Sequence, residues 1–485
     1  RDYYASRGLG DVYKRQGQFI ENRSGKWINV LNPSTEEVIS RMPDGTVDDV
    51  RAAIDAAEKA QGAWERLTSI ERAQYLTKIA QGIRKREKEL TDIIVREGGK
   101  TQGLANVEVN FTADYIDYMA GWARRYEGEI IPSDRPHETI FVFKKPIGVT
   151  TGILPWNFPF FLVARKAAPA MLTGNTIVLK PSQLTPENAY VFARIVDEAG
   201  VPKGVFNIVN GRGSVVGHEM AANPKVGMVS LTGSVSAGVQ TMEAASANVT
   251  KVSLELGGKA PAIVMPDADL DLTVKSIIAS RVINTGQVCN CCERVYVHSS
   301  IKDVFTEKLL DGFGKVKVGN PNEVADLDMG PLIDAGALKS VEEKVGKAVK
   351  QGATLAYGGK RIGAKGYFFE PTLLTNCTQK MDIIQEETFG PVLPVVEFTE
   401  VEDAITWAND CEYGLTSSVY TQNLDMAFKL MRSLKFGETY INRENFEAMQ
   451  GFHAGWRKSG IGGADGKHGL EEYLQTHVVY LETQG

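Results

Sequence analysis

The sequence has no run of about 18–20 consecutive apolar residues, the length that a transmembrane helix requires. Cysteine is scarce: the 485 residues contain five, of which three stand together at positions 289, 291 and 292. An odd, sparse count argues against a disulfide scaffold and favours a reducing compartment. Because no signal-peptide pattern is present either, we expect a cytoplasmic protein that does not associate with membranes.

Charge of one sign is not concentrated anywhere in the chain. The 54 Lys and Arg against 60 Asp and Glu give a net charge of −6, and neither sign forms a long block. A nucleic-acid-binding protein is expected to carry a basic face, so no nucleic-acid partner is expected here. A hydrophobic fraction of 43% with 24% charged residues is typical of folded globular proteins.

Residues 1–16 contain no apolar core that could act as a targeting signal, and they do not begin with methionine. We expect this leader not to be native, and it is left out of the fold prediction. From residue 46 to residue 125, apolar residues recur at spacings of three and four, which predicts amphipathic helices.

After these helices, short β-branched segments alternate with helical ones, which predicts an α/β fold with parallel sheets. A second alternating region begins near residue 260, so we predict two Rossmann-like domains. The strands predicted for the first are 148–154, 176–179, 205–209, 228–231 and 252–254. Two further β-rich segments, 139–143 and 478–481, form either an edge hairpin or a surface that pairs with another subunit.

Two glycine clusters are candidates for a phosphate site. Residues 211–217 resemble a dinucleotide fingerprint, but the last gap is one residue too long, which is more typical of a plain loop. Gly233 and Ser234 follow a predicted strand and begin a predicted helix that has Gly238 in its first turn. A helix start exposes backbone N–H groups and the positive dipole end to a phosphate, although the signal alone is weak.

Two reactive side chains stand near glycines. Glu255 ends a predicted strand and is either a general base or an ordinary surface carboxylate. Cys289 follows Gly286 and Gln287, and is either a buried small hydrophobe or a reactive thiolate. The run of cysteines at 289, 291 and 292 lacks the second, distant set of Cys or His that zinc needs, so no metal is expected.

Polar residues also end the first two strands of the predicted sheet. Asn157 lies in a loop fixed by two prolines, and Lys180 and Ser182 follow the next strand. Ligands bind at the carboxyl ends of such strands, so these side chains are candidates for a binding site.

Seven motifs occur in the order found in the NAD(P)-dependent aldehyde dehydrogenases, and the sequence resembles this family from residue 17 to the end. They are PWNFP, KPS, TGS, ELGGK, GQVC, EETFGPV and WRKSGIG. The resemblance implies that Cys289 is the nucleophile, that Glu255 is the base that activates water, and that Asn157 stabilises the oxyanion with the backbone N–H of Cys289.

The resemblance also implies a nicotinamide cofactor. Gln183 departs from the family pattern, which often has a glutamate there that bonds the ribose hydroxyls and repels a 2′-phosphate. NAD is expected, while use of NADP stays open. The implied cofactor-binding residues are Pro155, Trp156, Lys180, Ser182, Gln183, Gly233, Ser234, Gly238, Leu256, Glu387 and Phe389.

Four polar residues stand at positions where many relatives have bulky apolar groups: Arg165, Asn290, Glu447 and His453. Their alternatives are a surface charge, a turn former, a loop carboxylate and a satisfied polar residue. Together they resemble the family members that oxidise small 2-hydroxyaldehydes, lactaldehyde to lactate and glycolaldehyde to glycolate. The alternatives are a semialdehyde dehydrogenase, whose substrate carboxylate Arg165 would pair, a fold retained without activity, and ester hydrolysis by the same cysteine.

The resemblance further implies a homodimer or homotetramer and the division of the chain into functional segments. The predicted segments are residues 17–127 with 147–257 for NAD binding, 258–460 for catalysis, and 128–146 with 461–485 for oligomerisation and bridging.

Overall fold

The structure is a computed structural model that describes residues 12–15, 18–21 and 24–485, the first two segments as backbone only. The prediction for the leader, residues 1–16, falls outside the described residues except at Val12–Arg15. The first described elements are the strands β1 (Val12–Arg15), β2 (Gln18–Glu21), β3 (Trp27–Leu31) and β4 (Val38–Pro43).

Four helices follow, as the apolar spacing predicted: α1 (Val47–Arg66), α2 (Ser69–Lys85), α3 (Glu87–Gly98) and α4 (Gln102–Ala120). Thr46 and Thr68 begin the first two with reciprocal side-chain and backbone bonds to Asp49 and Glu71. These capping boxes satisfy N–H groups that a helix start leaves unpaired.

After two strands that stand outside the alternation, the next elements alternate as predicted from the sequence. They are β5 (Glu129–Ile131), β6 (Glu138–Pro146), β7 (Val149–Ile153), α5 (Phe161–Leu172), β8 (Thr176–Lys180), α6 (Glu187–Glu198), β9 (Phe206–Ile208), α7 (His218–Ala222), β10 (Met228–Thr232), α8 (Val235–Ser246) and β11 (Lys251–Glu255). The imperfect glycine cluster at 211–217 contains one π-helical turn, Gly213–Gly217, that leads into α7.

The remaining elements extend to the C-terminal strand. They are β12 (Ala260–Val264), α9 (Leu270–Val282), β13 (Cys292–His298), α10 (Lys302–Gly314), α11 (Ala335–Lys350), β14 (Thr354–Tyr357), β15 (Thr372–Cys377), α12 (Asp382–Gln385), β16 (Val392–Phe398), α13 (Val401–Asn409), β17 (Thr416–Tyr420), α14 (Leu424–Ser433), β18 (Glu438–Ile441), β19 (Gly460–Ile461), α15 (Gly466–Glu471) and β20 (Leu474–Glu482).

Two mostly parallel sheets confirm the predicted α/β class. The first has the order β19-β11-β10-β7-β8-β9, in which only β19 runs antiparallel to its neighbour. The second has the order β14-β15-β16-β13-β12-β17-β18, in which only β14 runs antiparallel.

The chain crosses from the first sheet to the second between Glu255 and Ala260. The carboxyl ends of the first sheet therefore face the amino ends of the second. In the second sheet Ala260 lies opposite Cys292, which is three residues beyond Cys289. This register brings the two candidate reactive side chains, Glu255 and Cys289, to the same cleft.

The two β-rich segments outside the alternation pair with each other. β20 lies antiparallel along the whole of β6, and β5 completes a separate three-stranded sheet. This sheet exposes Ile130, Tyr480 and Leu481, whose relative exposures are 72%, 66% and 48%. The functional segments predicted from the sequence remain a prediction.

Candidate active site

Cys289 lies in a tight turn before β13, and its side chain is half-buried. The turn is preceded by Asn284 and Thr285, which have positive φ angles of 47° and 61°. A Cβ added at Gly286 would lie 2.2 Å from the carbonyl oxygen of Gly390. The glycine is therefore needed so that this backbone can approach the Gly390 segment closely.

A cationic histidine faces the Cys289 thiol. Burial raises the pKa of Cys289, and a hydrogen bond from His453 together with its charge acts in the opposite direction. Burial would lower the pKa of His453, but the carboxylates of Glu438 and Glu447 raise it well above its ordinary value. The Nδ1 atom of His453 lies 2.7 Å from Oε1 of Glu438, so the imidazolium is held beside the thiol.

Asn157 follows β7, is buried, and lines the same cavity as Cys289. Its side-chain Nδ2 donates a 3.2 Å hydrogen bond to the carbonyl oxygen of Gln287, in the nucleophile turn. The backbone carbonyl oxygen of Asn157 accepts a 2.7 Å bond from Nζ of the buried Lys100. The amide is thus fixed against the nucleophile turn, in a position suited to an oxyanion donor.

Glu255 ends β11 and is 7% exposed, so the surface alternative is wrong. Its Oε2 accepts a 2.7 Å bond from the hydroxyl of Thr232, whereas its buried Oε1 has no hydrogen-bond partner in the part of the chain that the structure describes. Burial would raise the pKa of Glu255, but the charges of Arg165, Lys166 and His453 outweigh it and lower the pKa. The carboxylate is therefore ionised at neutral pH.

A cavity of about 290 Å³ opens beside Cys289 and is the candidate substrate pocket. All four predicted tunnel residues line it, together with the catalytic candidates Asn157 and Glu255. Its other walls are mainly apolar and aromatic, and they include Leu104, Val107, Phe111, Phe158, Phe161, Leu162, Ile283, Val288 and Phe446.

Arg165 lies on α5, a helix in which every residue is buried, so the surface alternative is wrong for this residue too. Its Nη2 donates a 2.8 Å bond to Oε1 of Glu447, and Oε2 of Glu447 accepts a 2.6 Å bond from Asn290. Burial opposes ionisation of Glu447, but His453 and Arg165 lower its pKa to about 2. Arg165, Glu447 and Asn290 therefore form one hydrogen-bonded network, and the charge of His453 acts on its carboxylate.

Asp465, just before α15, completes this network and was not identified from the sequence. Its two carboxylate oxygens accept bonds of 3.0 Å and 2.9 Å from Nε and Nη2 of Arg165. The sequence signal was the Arg165–Lys166 pair inside an apolar helix, since buried cations require partners. That signal says that partners exist without saying which.

A second cleft, of about 330 Å³, meets the first at Cys289 and is the candidate cofactor site. The rings of Trp156 and Phe389 face each other edge-on at 5.6 Å. A Cβ added at Gly257 would lie 2.7 Å from the Glu387 carboxylate, so the glycine allows this carboxylate to approach the backbone closely. Seven of the predicted cofactor residues line it: Pro155, Trp156, Gly233, Ser234, Leu256, Glu387 and Phe389.

The residues that line this cleft suit parts of a nicotinamide dinucleotide. Ser234 caps the N-terminus of α8 by accepting a 3.1 Å bond from the N–H of Ala237, and the helix start faces the cleft. Glu387 accepts a 2.7 Å bond from the N–H of Gly258, and burial raises its pKa to about 7. Aromatic walls, a helix N-terminus and a carboxylate are suited to rings, phosphates and ribose hydroxyls respectively.

Four other predicted cofactor residues do not line this cleft. Lys180 and Ser182 lie at the carboxyl end of β8, next to β7 in the same sheet, and Gln183 follows them on the surface. Burial lowers the pKa of Lys180 to about 8. Gly238 packs against Leu256, since a Cβ there would lie 2.7 Å from the Leu256 side chain. Their cofactor contacts remain a prediction.

A buried ion-pair triad, Lys259–Glu293–Arg281, connects the loops of both clefts, and it too was missed in the sequence. Glu293 accepts bonds of 2.9 Å from Lys259 and 2.6 Å from Arg281. It also accepts the backbone N–H groups of Thr388 and Phe389 at 2.7 Å and 3.2 Å. Because Glu293 lies four residues after Cys289, the triad fixes the Phe389 segment relative to the nucleophile.

Cys291 and Cys292 are buried, each about 1% exposed. Within residues 24–485, no three His, Cys, Asp or Glu side chains are grouped so that they could hold a metal ion. In the same part of the chain, no helix is long and apolar enough to cross a membrane.

The sequence profile of the aldehyde dehydrogenase family matches residues 19–479. The fold, the paired clefts and this match show that the chain belongs to the aldehyde dehydrogenase family, whose members are oxidoreductases that use NAD or NADP.

Among known proteins, lactaldehyde dehydrogenase of Escherichia coli (strain K12) is 67% identical to this chain and aligns over 96% of this chain and 98% of its own. A crystal structure of the Escherichia coli enzyme superposes with a TM-score of 0.97 at 66% identity, covering 98% of this chain and 99% of that one. The NADP(+)-linked D-glyceraldehyde dehydrogenase of Thermoplasma acidophilum is 42% identical over 97% of this chain and 96% of its own.

Proposed function

We propose that this enzyme oxidises small 2-hydroxyaldehydes, lactaldehyde to lactate and glycolaldehyde to glycolate, with NAD as the hydride acceptor. The observation that carries the proposal is the convergence of Arg165, Asn290, Glu447 and His453 on the cavity beside Cys289. An adjacent hydroxyl can both donate to and accept from the sides of these groups that face the cavity, whereas an alkyl chain would displace water from them and offer no hydrogen bond in its place.

Cys289 begins the reaction. Its sulfur attacks the aldehyde carbon as a thiolate, which the His453 imidazolium stabilises, and a thiohemiacetal forms. Negative charge then develops on the former carbonyl oxygen. As the family resemblance implies, the Asn157 amide, which is bonded to this turn, and the backbone N–H of Cys289 would stabilise that oxygen.

The nicotinamide cofactor, when bound, supplies the hydride acceptor. Trp156, Glu387 and Phe389 would hold its nicotinamide end, and the start of α8 would hold its phosphates. Loss of hydride from the substrate carbon converts the thiohemiacetal into a thioester on Cys289. The reacting carbon on Cys289 would thus lie where the substrate cavity and the cofactor cleft meet.

Glu255 completes the turnover. Its ionised carboxylate takes a proton from a water molecule, whose oxygen attacks the thioester carbon, and the Cys289 thiolate leaves with the carboxylic acid released. Oε1 is the oxygen suited to this role, since Oε2 already accepts the Thr232 hydroxyl.

The choice of NAD follows the family resemblance, with Lys180 and Ser182 at the adenosine ribose and Gln183 beside it. An amide at Gln183 does not repel a 2′-phosphate as a carboxylate would, so partial use of NADP is part of the proposal. The Gln183→Glu variant is expected to lose NADP-dependent activity while it keeps NAD-dependent activity. Equal loss with both cofactors would contradict the placement of Gln183 at the ribose.

The names of two relatives support the substrate class, because lactaldehyde and D-glyceraldehyde both carry a hydroxyl next to the aldehyde. A semialdehyde is less well supported, since a substrate carboxylate would meet Arg165 already bound by Glu447 and Asp465. The intact Cys289, Glu255 and Asn157 argue against a fold retained without activity.

The test is the initial rate of NADH formation with lactaldehyde and, in parallel, with propionaldehyde. These substrates differ by one hydroxyl, so the ratio of their kcat/KM values isolates its contribution. We expect lactaldehyde to be preferred by about a hundredfold or more. Equal kcat/KM values would leave the aldehyde chemistry intact and contradict the substrate proposal.

We further propose that the enzyme is a homodimer or homotetramer. The sheet formed by β5, β6 and β20 supports this, because it exposes Ile130, Tyr480 and Leu481 on a surface next to open strand edges. Light scattering that gave the mass of a single chain would contradict it. The cytoplasmic location remains a prediction.

A further inference from the structure

Asp465 does not line the substrate cavity itself but bonds Arg165, which does. It is 1% exposed, and its Oδ1 accepts the hydroxyl of Tyr115 at 2.9 Å in addition to Nε of Arg165 at 3.0 Å. Its Oδ2 accepts Nη2 of Arg165 at 2.9 Å. The carboxylate thus occupies the Nε–Nη2 edge of the guanidinium, which is the edge suited to a bidentate carboxylate.

The backbone around Asp465 is closely held. Its neighbour Ala464 exchanges two hydrogen bonds with His453, of 2.9 Å and 2.8 Å, so one backbone bridge positions both His453 and Asp465. A Cβ added at Gly466 would lie 2.1 Å from the carbonyl oxygen of Gly451. Such packing leaves little room for the carboxylate to move away from Arg165.

We infer that Asp465 is a positioning residue that determines specificity: it occupies the carboxylate-binding edge of Arg165, so that the guanidinium recognises a substrate hydroxyl and rejects a substrate carboxylate. This inference rests on the proposed function.

The remaining donors of Arg165 support this. Nη2 is also bonded to Glu447, and Nη1 lies 3.9 Å from Oε1 of Glu255, beyond hydrogen-bond distance. Nη1 is therefore the atom with N–H groups to offer the cavity. Nη1 can donate to a neutral substrate hydroxyl. A substrate carboxylate at Nη1 would find no free bidentate edge of the guanidinium, and the carboxylates already around Arg165 would repel it.

The prediction is that the Asp465→Asn variant gains activity on a substrate that carries a carboxylate. We would measure kcat and KM for lactaldehyde, propionaldehyde and succinate semialdehyde in both proteins. Relative to propionaldehyde, we expect kcat/KM to fall about tenfold for lactaldehyde and to rise about tenfold for succinate semialdehyde, mainly through KM. Unchanged ratios in the variant would overturn the inference.

Two further variants separate positioning from general damage. Asp267→Asn removes a surface carboxylate that bonds Thr421 and Gln422, and it should keep the wild-type ratios. Adding Arg165→Lys to Asp465→Asn removes the planar guanidinium, and should cancel the gain on succinate semialdehyde. A gain that persisted without Arg165 would contradict the inference.

If Asp465→Asn fails to fold by near-ultraviolet circular dichroism, Asp465→Glu carries the test, because it keeps the negative charge. Continued rejection of succinate semialdehyde with weaker lactaldehyde binding is expected, and its acceptance would overturn the inference. The wild-type ratio of lactaldehyde to propionaldehyde tests the proposed function separately, since the semialdehyde result in the variants does not depend on it.

Discussion

Glu438 holds His453 beside the nucleophile, with Oε1 of the carboxylate 2.7 Å from Nδ1 of the imidazole. The two side chains come from β18 and from the irregular segment after it. This pair keeps the imidazole protonated, and the imidazolium favours the thiolate of Cys289 against the effect of burial.

The His453→Gln variant should therefore raise the pKa of Cys289. Alkylation of Cys289 by iodoacetamide, followed across pH, should be slower than in the wild type at neutral pH and equal to it at high pH, where both thiols are ionised. His468→Gln is the matched control, because that ring is 70% exposed. Identical pH profiles for His453→Gln and the wild type would show that His453 does not act on the thiol.

Removal of the Asn157 amide should slow the chemical step. Loss of one oxyanion donor costs about 2.7–4 kcal/mol of transition-state stabilisation, so kcat for Asn157→Ala should fall by about 10²–10³. Alkylation of Cys289 by iodoacetamide forms no oxyanion, and its rate should stay near that of the wild type. If both rates fell equally, Asn157 would instead be supporting the shape of the nucleophile turn through Gln287.

The Glu255→Gln variant should separate the two halves of the reaction. Acylation and hydride transfer do not need the base that activates water, so a rapid burst of NADH close to one per active site is expected, followed by slow turnover. The steady rate should fall by about 10²–10⁴. Mass spectrometry should detect the acyl group on Cys289, and a lost burst would place Glu255 in the first half-reaction.

The Glu293→Gln variant should destabilise the fold. Lys259 and Arg281 would then be buried without their common counter-ion, so the free energy of unfolding should fall by about 3–5 kcal/mol in urea denaturation. Asp92→Asn breaks an exposed pair with Lys88 and should change it by less than about 1 kcal/mol. If the free energy of unfolding fell by similar amounts in both variants, the buried triad would contribute no more to stability than an exposed ion pair.

The same carboxylate gives the stability a pH dependence of known sign. Burial opposes ionisation of Glu293, but Lys259 and Arg281 lower its pKa from 4.5 to about 2. Its contribution is therefore fully present above pH 4.5 and is lost as the pH falls through about 2. Glu293→Gln should lack this part of the acid dependence.

The sequence predicted the residues that stand at strand ends. The alternation of strands and helices predicts where β7, β10 and β11 end, and ligands of parallel sheets bind at those ends. Asn157, Gly233 and Glu255 could be found in that way, and the turn before β13 supplied Cys289 through its motif. The motifs and the predicted topology point to the same four residues, so the positions of these residues could be predicted from the sequence.

The electrostatic partners could not be predicted in the same way. Arg165 and Asp465 are 300 residues apart in the chain, and the sequence contains 60 acidic residues that could have been the partner. Periodicity reports whether a side chain is buried, while pairing across the two sheets depends on register and loop geometry. Glu293 was missed for this reason, since its four donors come from three separate segments.

The order of the site along the chain has a consequence for protein synthesis. Asn157, Glu255 and Cys289 all lie in the first three-fifths of the sequence, whereas His453 and Asp465 lie near its end. A growing chain therefore carries its reactive thiol long before the residues that tune that thiol and select its substrate. In the folded protein, the pairing of β19 with β11 at the edge of the first sheet helps to anchor the segment between His453 and Asp465. Cys289 is thus synthesised first, and its thiol gains both the residue that favours its thiolate and the residue that selects its substrate only when the C-terminal segment has been added.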